Sequence, residues 1–271
     1  METQQPSLPN QRIRAPKAIS QGGLDKIMNE QQHILSAFDR DLEAIQAHIM
    51  KMGGMVEASI LDATKSFDTR DVELAADVRA RDKAIDQLET LINDEAAKLL
   101  ALRSPTAVDL RLVLSVIKVA TNLERIGDYS KNIAKRTTVL MEMPHVFDKG
   151  QGLRRLAREV ELMLKDALDA YVKRDVKLAE EVIHRDRDVD QMYTGLFREY
   201  LSHMLEDPRD ITPCMHLHFI AKNIERAGDQ VTAIAEQVIY LASGEQPDDI
   251  HISVDQTSSN PSLSTNLETK L

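Results

Sequence analysis

One seven-residue motif occurs twice, and it constrains the fold more than any other feature of the chain. Asn122-Leu-Glu-Arg-Ile-Gly-Asp128 returns about 101 residues later as Asn223-Ile-Glu-Arg-Ala-Gly-Asp229, with five of seven positions identical and apolar swaps at the other two. Two further stretches repeat at an offset of about 104. Asp71-Val-Glu-Leu-Ala75 is echoed by Asp175-Val-Lys-Leu-Ala179, and Asp82-Lys-Ala-Ile-Asp86-Gln87 by Asp186-Arg-Asp-Val-Asp190-Gln191. A chain that repeats itself at one spacing builds the same unit twice.

The unit is helical. From about residue 26 to 67, Ile34, Phe38, Leu42, Ile45, Ile49, Met52, Val56 and Ile60 recur at steps of three and four, one face of a helix. Gly53-Gly54 interrupts this pattern and predicts a bend or a close helix crossing there. Asp68 is placed to cap a second helix, about 71–102, whose stripe reads Leu74, Val78, Ile85, Leu88, Ile92 and Leu99. Ser104-Pro105 supplies a cap followed by proline for a third helix, reaching about 142, with Leu112, Val116, Val119, Leu123, Ile126 and Ile133 inward. A helix over about 152–173 opens the second unit, and Thr212-Pro213 restarts a helix within it much as Ser104-Pro105 does. With 4% aromatic residues and no Trp, nothing in the composition favours strands. The expected fold is all-α: two pseudo-symmetric three-helix bundles over 24–149 and 150–245, between a flexible tail at 1–23 and a Ser-, Asn- and Asp-rich tail at 246–271.

Charge and cysteine usage narrow the functional classes. The formal charge is −10, which argues against nucleic acid as a partner. Cys214 is the only cysteine, so neither a disulfide framework nor a cysteine-based zinc site is expected. No apolar run is long enough to span a bilayer, and the N-terminus lacks an apolar signal core, so the expected location is cytoplasmic.

The repeated motifs all carry carboxylates four residues apart. Glu124 and Asp128 share one helix face, as do Glu225 and Asp229, Asp82 and Asp86, and Asp186 and Asp190. Like charges at this spacing destabilise a helix by a few tenths of a kcal/mol. Consecutive helices are usually neighbours, so each pair on a second helix meets a pair on the third. Four hard oxygen donors on adjacent helices suit a di- or trivalent cation, with magnesium, calcium or manganese the ions such ligands favour. The helical count places these carboxylates at the edges of the apolar stripes, and Gly127 and Gly228 leave space beside them for an ion or a close partner. Arg125 and Arg226 offer the competing explanation, a salt-bridged surface with no ion.

With these residues in view, the sequence resembles the PhoU family of phosphate-signalling regulators. The resemblance rests on the doubled Asn-x-Glu-Arg-x-Gly-Asp and Asp-x-x-x-Asp motifs, on Leu110-Arg111, on Leu217-His218-Phe219-Ile220-Ala221 and on Gly244-Glu245, and it covers about 24–245. It implies metal ions held by Asp82, Asp86, Glu124 and Asp128 in one repeat and by Asp186, Asp190, Glu225 and Asp229 in the other, adding iron and zinc to the candidate ions. It also implies a homodimer without catalytic activity. The implied role is to restrain the phosphate-starvation response and modulate phosphate uptake between the ATPase subunit of a phosphate ABC transporter and its sensor histidine kinase, with any contact to the membrane made through those partners.

Two alternatives belong to other classes. A di-iron carboxylate enzyme would use Glu-x-x-His, present as Glu30-Gln-Gln-His33 and Glu181-Val-Ile-His184, although Glu181 and His184 align in the repeat with Asp77 and Ala80. A helical scaffold without ligand is the other. No nucleophile with a matched base and no glycine-rich phosphate loop is present.

Overall fold

The computed structural model describes residues 21–103, 105–143 and 150–245, with side chains from residue 37 onward. Six helices follow one another: α1 (Gln21–Thr69), α2 (Val72–Arg103), α3 (Ala107–Leu140), α4 (Gln151–Lys173), α5 (Val176–Glu206) and α6 (Ile211–Ser243), with one 3₁₀ turn at Pro208–Asp210. No strand occurs among the described residues. The expected tails at 1–23 and 246–271 lie outside the described residues, except that Gln21, Gly22 and Gly23 belong to α1. The chain divides between Arg40 and Asp41, and the second unit holds the carboxylate motifs of both repeats.

The periodicity that predicts the helices also fills the core. Ile45, Ile49, Met52, Val56, Ile60, Ala63 and Phe67 form an unbroken buried stripe along α1, and the six residues expected inward on α3 are all buried. In α2, Val78, Ile85, Leu88, Ile92 and Leu99 are buried as expected, but Ala75 rather than Leu74 packs at the first turn, and Asp82 lies buried within the stripe.

Packing is antiparallel within and between the repeats. α2 packs on α3, α5 on α6, and the two repeats join through α3 and α6, so that their apolar residues form one continuous core. Phe219 on α6 lies 4.2 Å beneath the Arg136 guanidinium of α3, and Lys118 stands over the Tyr240 ring near the other end. Gly53 sits where a Cβ would strike Leu168 of α4, so the helical interruption expected at Gly53-Gly54 is a close crossing; α1 remains helical through both glycines.

The repeat extends to details. Arg81 on α2 pairs with Asp62 on α1 at 2.6 Å, and 104 residues later Arg185 on α5 pairs with Asp166 on α4 at 2.6 Å. Arg70 and Arg174 both hold left-handed backbone, at φ 58° and 53°, a conformation that costs a non-glycine residue about 1–2 kcal/mol. Each is followed by an aspartate that caps the next helix. Asp71 accepts from the Leu74 N–H at 2.9 Å, and Asp175 from the Leu178 N–H at 3.2 Å. Asp71, not Asp68, is thus the cap of α2; Asp68 instead pairs with Arg154 of α4. The cap of α3 also differs from expectation. Its N-cap residue is Thr106, and Pro105 precedes the helix rather than opening it. Ser104 lies outside the described residues.

Candidate metal centre

In each repeat an aspartate pair from one helix meets a Glu/Asp pair from the next. Asp82 and Asp86 of α2 lie in one electrostatic neighbourhood with Glu124 and Asp128 of α3. In the second repeat, Asp190 of α5 and Asp229 of α6 act on Glu225 of α6, and Asp186 of α5 lies beside Gly228. The edge placement expected from sequence is only half right. Asp82 (4% exposed), Asp186 (4%), Asp190 (3%) and Glu225 (3%) are buried, whereas Glu124, Asp128 and Asp229 are half-buried and Asp86 is exposed. Asp82 takes a core position between Val78 and Ile85, and Asp186 repeats it between Val182 and Val189.

Burial and crowding act together on these groups. Desolvation first, then Asp128, Glu89, Asp86 and Asp82, push the Glu124 carboxyl up to about 7. Glu225 is likewise pushed up to about 7, chiefly by desolvation, with Asp229 and Asp190 adding to it and the Lys222 ammonium opposing. Asp86, although exposed, is raised by partial desolvation and by Asp82. Both patches therefore hold carboxylates in surroundings that disfavour their charge, a condition an added cation relieves.

Three participants were not named from sequence. Lys131, three residues after Asp128, places its Nζ 2.6 Å from Asp82 Oδ2 and 3.2 Å from Asp128 Oδ1, joining α2 to α3. Lys222, three residues before Glu225, donates to Glu225 Oε1 at 2.7 Å and stands 4.9 Å from the centre of the Tyr193 ring. Glu89 adds a fifth carboxylate to the first patch and accepts from the Thr121 hydroxyl at 3.0 Å. Its spacing from Asp82, seven residues on the same helix face, was the available signal. The arginines proposed from sequence as neutralising partners lie elsewhere. Arg125 is exposed and directed to Gln230, and Arg226 is exposed.

The glycines of the motif bring helices together rather than opening space for an ion. A Cβ on Gly127 would lie 3.1 Å from Ile85, and one on Gly228 would lie 3.4 Å from Asp186 and Val189. Glu181 and His184 are both exposed on α5, so the di-iron arrangement, which requires inward ligands, finds no support there. The side chains of Glu30 and His33 lie outside those described.

A metal fits these patches in chemistry. The donors are hard carboxylate oxygens, and Glu225 Oε2 is a buried acid oxygen with no hydrogen-bond partner, which normally calls for one. In the present side-chain arrangement, no three Asp, Glu, His or Cys among the described residues converge closely enough to hold an ion. The lysines stand among the donors instead.

Against known proteins, a family profile described as the PhoU domain matches residues 49–137 and again 153–238, one match per repeat. The chain belongs to the PhoU family. The phosphate-specific transport system accessory protein PhoU homolog of Rhizobium meliloti (strain 1021) is 42% identical over 215 residues, covering 79% of this chain and 91% of that one. Its namesake in Caulobacter vibrioides (strain NA1000 / CB15N) is 40% identical over 215 residues, covering 79% of this chain and 94% of its own. The crystal structure of PhoU from Pseudomonas aeruginosa superposes with a TM-score of 0.73 at 37% identity, over 77% of this chain and 100% of that one. The phosphate transport system regulatory protein PhoU from Streptococcus pneumoniae gives a TM-score of 0.72 at 29% identity, over 78% and 99%. The resemblance carried by the doubled motif, and the six-helix fold, therefore hold. The relatives are named accessory and regulatory proteins, in agreement with the reading of a chain that is not an enzyme.

Proposed function

We propose that the chain is a cytoplasmic regulator of phosphate uptake that restrains the phosphate-starvation response when phosphate is ample. It acts as a homodimer between the ATPase subunit of a phosphate ABC transporter and the sensor histidine kinase of that system, and approaches the membrane through those partners; among the described residues no helix is long and apolar enough to cross one. Family membership and the names of its relatives support the link to phosphate transport. The observation that carries the rest is the recurrence of one carboxylate patch in each repeat, with a buried acid oxygen of Glu225 left unpartnered.

In this reading Asp82, Asp86, Glu124 and Asp128 hold metal in the first repeat, and Asp186, Asp190, Glu225 and Asp229 hold it in the second. A cation held by these residues would supply charge compensation between α2 and α3 and between α5 and α6, and a positive charge for an acidic group of a partner. The chain's own part is to hold donors on two rigid helices close to the surface, through the exposed Asp86 and the half-buried Glu124, Asp128 and Asp229.

Reporter output from a phosphate-starvation promoter, measured in high phosphate in a deletion strain with no second copy of such a protein, tests the role. Derepression is expected, reversed by the wild-type chain. Output that stays repressed refutes the regulatory assignment. A second reading, a scaffold whose patches are salt-bridged and hold no ion, is favoured by the contacts of Lys131 and Lys222. Metal analysis of protein purified without chelator separates the two.

A further inference from the structure

Each patch contains an ammonium group among its carboxylates, and the two are not placed alike. In the first repeat Lys131 approaches from three residues after the motif and bridges Asp82 to Asp128. The corresponding position in the second repeat is Thr232, whose hydroxyl donates to the Gly228 carbonyl of its own helix. In the second repeat Lys222 approaches from three residues before Glu225. Its counterpart in the first repeat is Thr121, bonded to Glu89, and the counterpart of Glu89 is Tyr193, whose ring lies under Lys222. The four carboxylates are thus conserved between repeats, while the flanking cation and its support are exchanged from one end of the motif to the other.

We propose that Lys131 and Lys222 are tethered counter-ions that a metal ion displaces on binding, and that the first-repeat patch is the tighter of the two metal sites. This rests on the metal reading of the patches given above. No three acidic groups among the described residues converge on a common point, so a metal that gathers the carboxylates competes with the lysine for Asp82 and Asp128, or for Glu225. Two observations rank the sites. The Lys131 side chain is 43% exposed and has water to swing into, whereas that of Lys222 is 25% exposed and lies against Tyr193. The first patch also includes Glu89, at the position that Tyr193 takes in the second, and this further carboxylate favours a multivalent cation at the first.

The test is a Mn2+ titration of the full chain, reading free Mn2+ by electron paramagnetic resonance. Lys131→Met and Lys222→Met retain the apolar stem and remove the charge, and circular dichroism checks that each variant is folded. Wild type is expected to show two classes of site. Glu124→Gln should remove or weaken the tighter class and Glu225→Gln the weaker. Lys222→Met should tighten the weaker class about tenfold, as loss of one competing charge-assisted hydrogen bond implies, and Lys131→Met should tighten the other class. Unchanged binding in folded lysine variants, or weaker binding, overturns displacement while leaving metal binding intact. Loss of the tighter class in Glu225→Gln rather than Glu124→Gln overturns the ranking. If no variant and no wild-type protein binds Mn2+, the metal reading itself fails and this inference falls with it.

Discussion

Glu225 offers a quantitative check on the electrostatics of the second patch. The substitution Glu225→Gln keeps the shape of the side chain and an acceptor for Lys222, but it cannot ionise. The carboxyl sits at about 7 in the folded chain against an ordinary value of 4.5, mainly because burial disfavours its charge. A raised carboxylate value means that the folded state holds the proton more tightly than the unfolded state. Its contribution to stability is therefore present at low pH, declines as pH rises from 4.5, and is lost above about 7. That gap corresponds to about 3 kcal/mol at most, and residual solvent screening brings the expected value to about 2 kcal/mol. Urea denaturation of both proteins in chelator, at pH 4.5 and at pH 8, reads this directly. Between the two conditions, the stability of the variant relative to wild type should shift in the variant's favour by about 2 kcal/mol. A difference independent of pH, or one moving against the variant as pH rises, refutes the reasoning.

Two further substitutions probe the scaffold. Asp71→Ala and Asp175→Ala each remove a helix cap accepting from a backbone N–H, so each should lower stability by about 1 kcal/mol, and their effects should add in the double variant because the caps share no partner. Gly228→Ala should be tolerated or stabilise by a few tenths of a kcal/mol, since its Cβ meets neighbours at ordinary contact distance in a helix. Gly244→Ala should destabilise by 1 kcal/mol or more, about the cost of left-handed backbone, because Gly244 caps α6 at φ 80° and a Cβ would collide with Arg111. Thermal melts of each variant check these outcomes.

The repeat carried most of what the sequence could reveal. A doubled motif at a fixed offset announced two three-helix units, and the three-and-four spacing of Ile, Leu and Val found the buried faces of α1 and α3. The face of α2 was found at Val78, Ile85, Leu88, Ile92 and Leu99 and missed only at the first turn, where Ala75 packs although Leu74 is the larger and more apolar side chain. Asp82 lies on that same face between Val78 and Ile85 and is buried with them. Periodicity counts apolar residues and passes over this, because charged side chains are rarely buried unless paired. The caps followed the same logic. Asp68 and Asp71 are equally good capping residues, and it is the left-handed turn at Arg70 that selects Asp71. The eight carboxylates were legible because their spacing repeats. The lysines beside them were not, because Lys131 and Lys222 occupy different positions in the two repeats, and a search for matched features passes over them.

Cation binding by the two carboxylate patches underlies the proposed function. Melting temperature, followed with and without added Mn2+ after chelator treatment, tests it most directly when wild type is compared with a variant carrying Asn or Gln at Asp82, Asp86, Glu124, Asp128, Asp186, Asp190, Glu225 and Asp229. An ion that binds the folded state alone stabilises it by mass action, by about 2.7 kcal/mol at one hundred times its dissociation constant. The wild-type chain should melt several degrees higher with the ion, and the folded variant should not respond. Equal gains in both proteins would contradict the assignment.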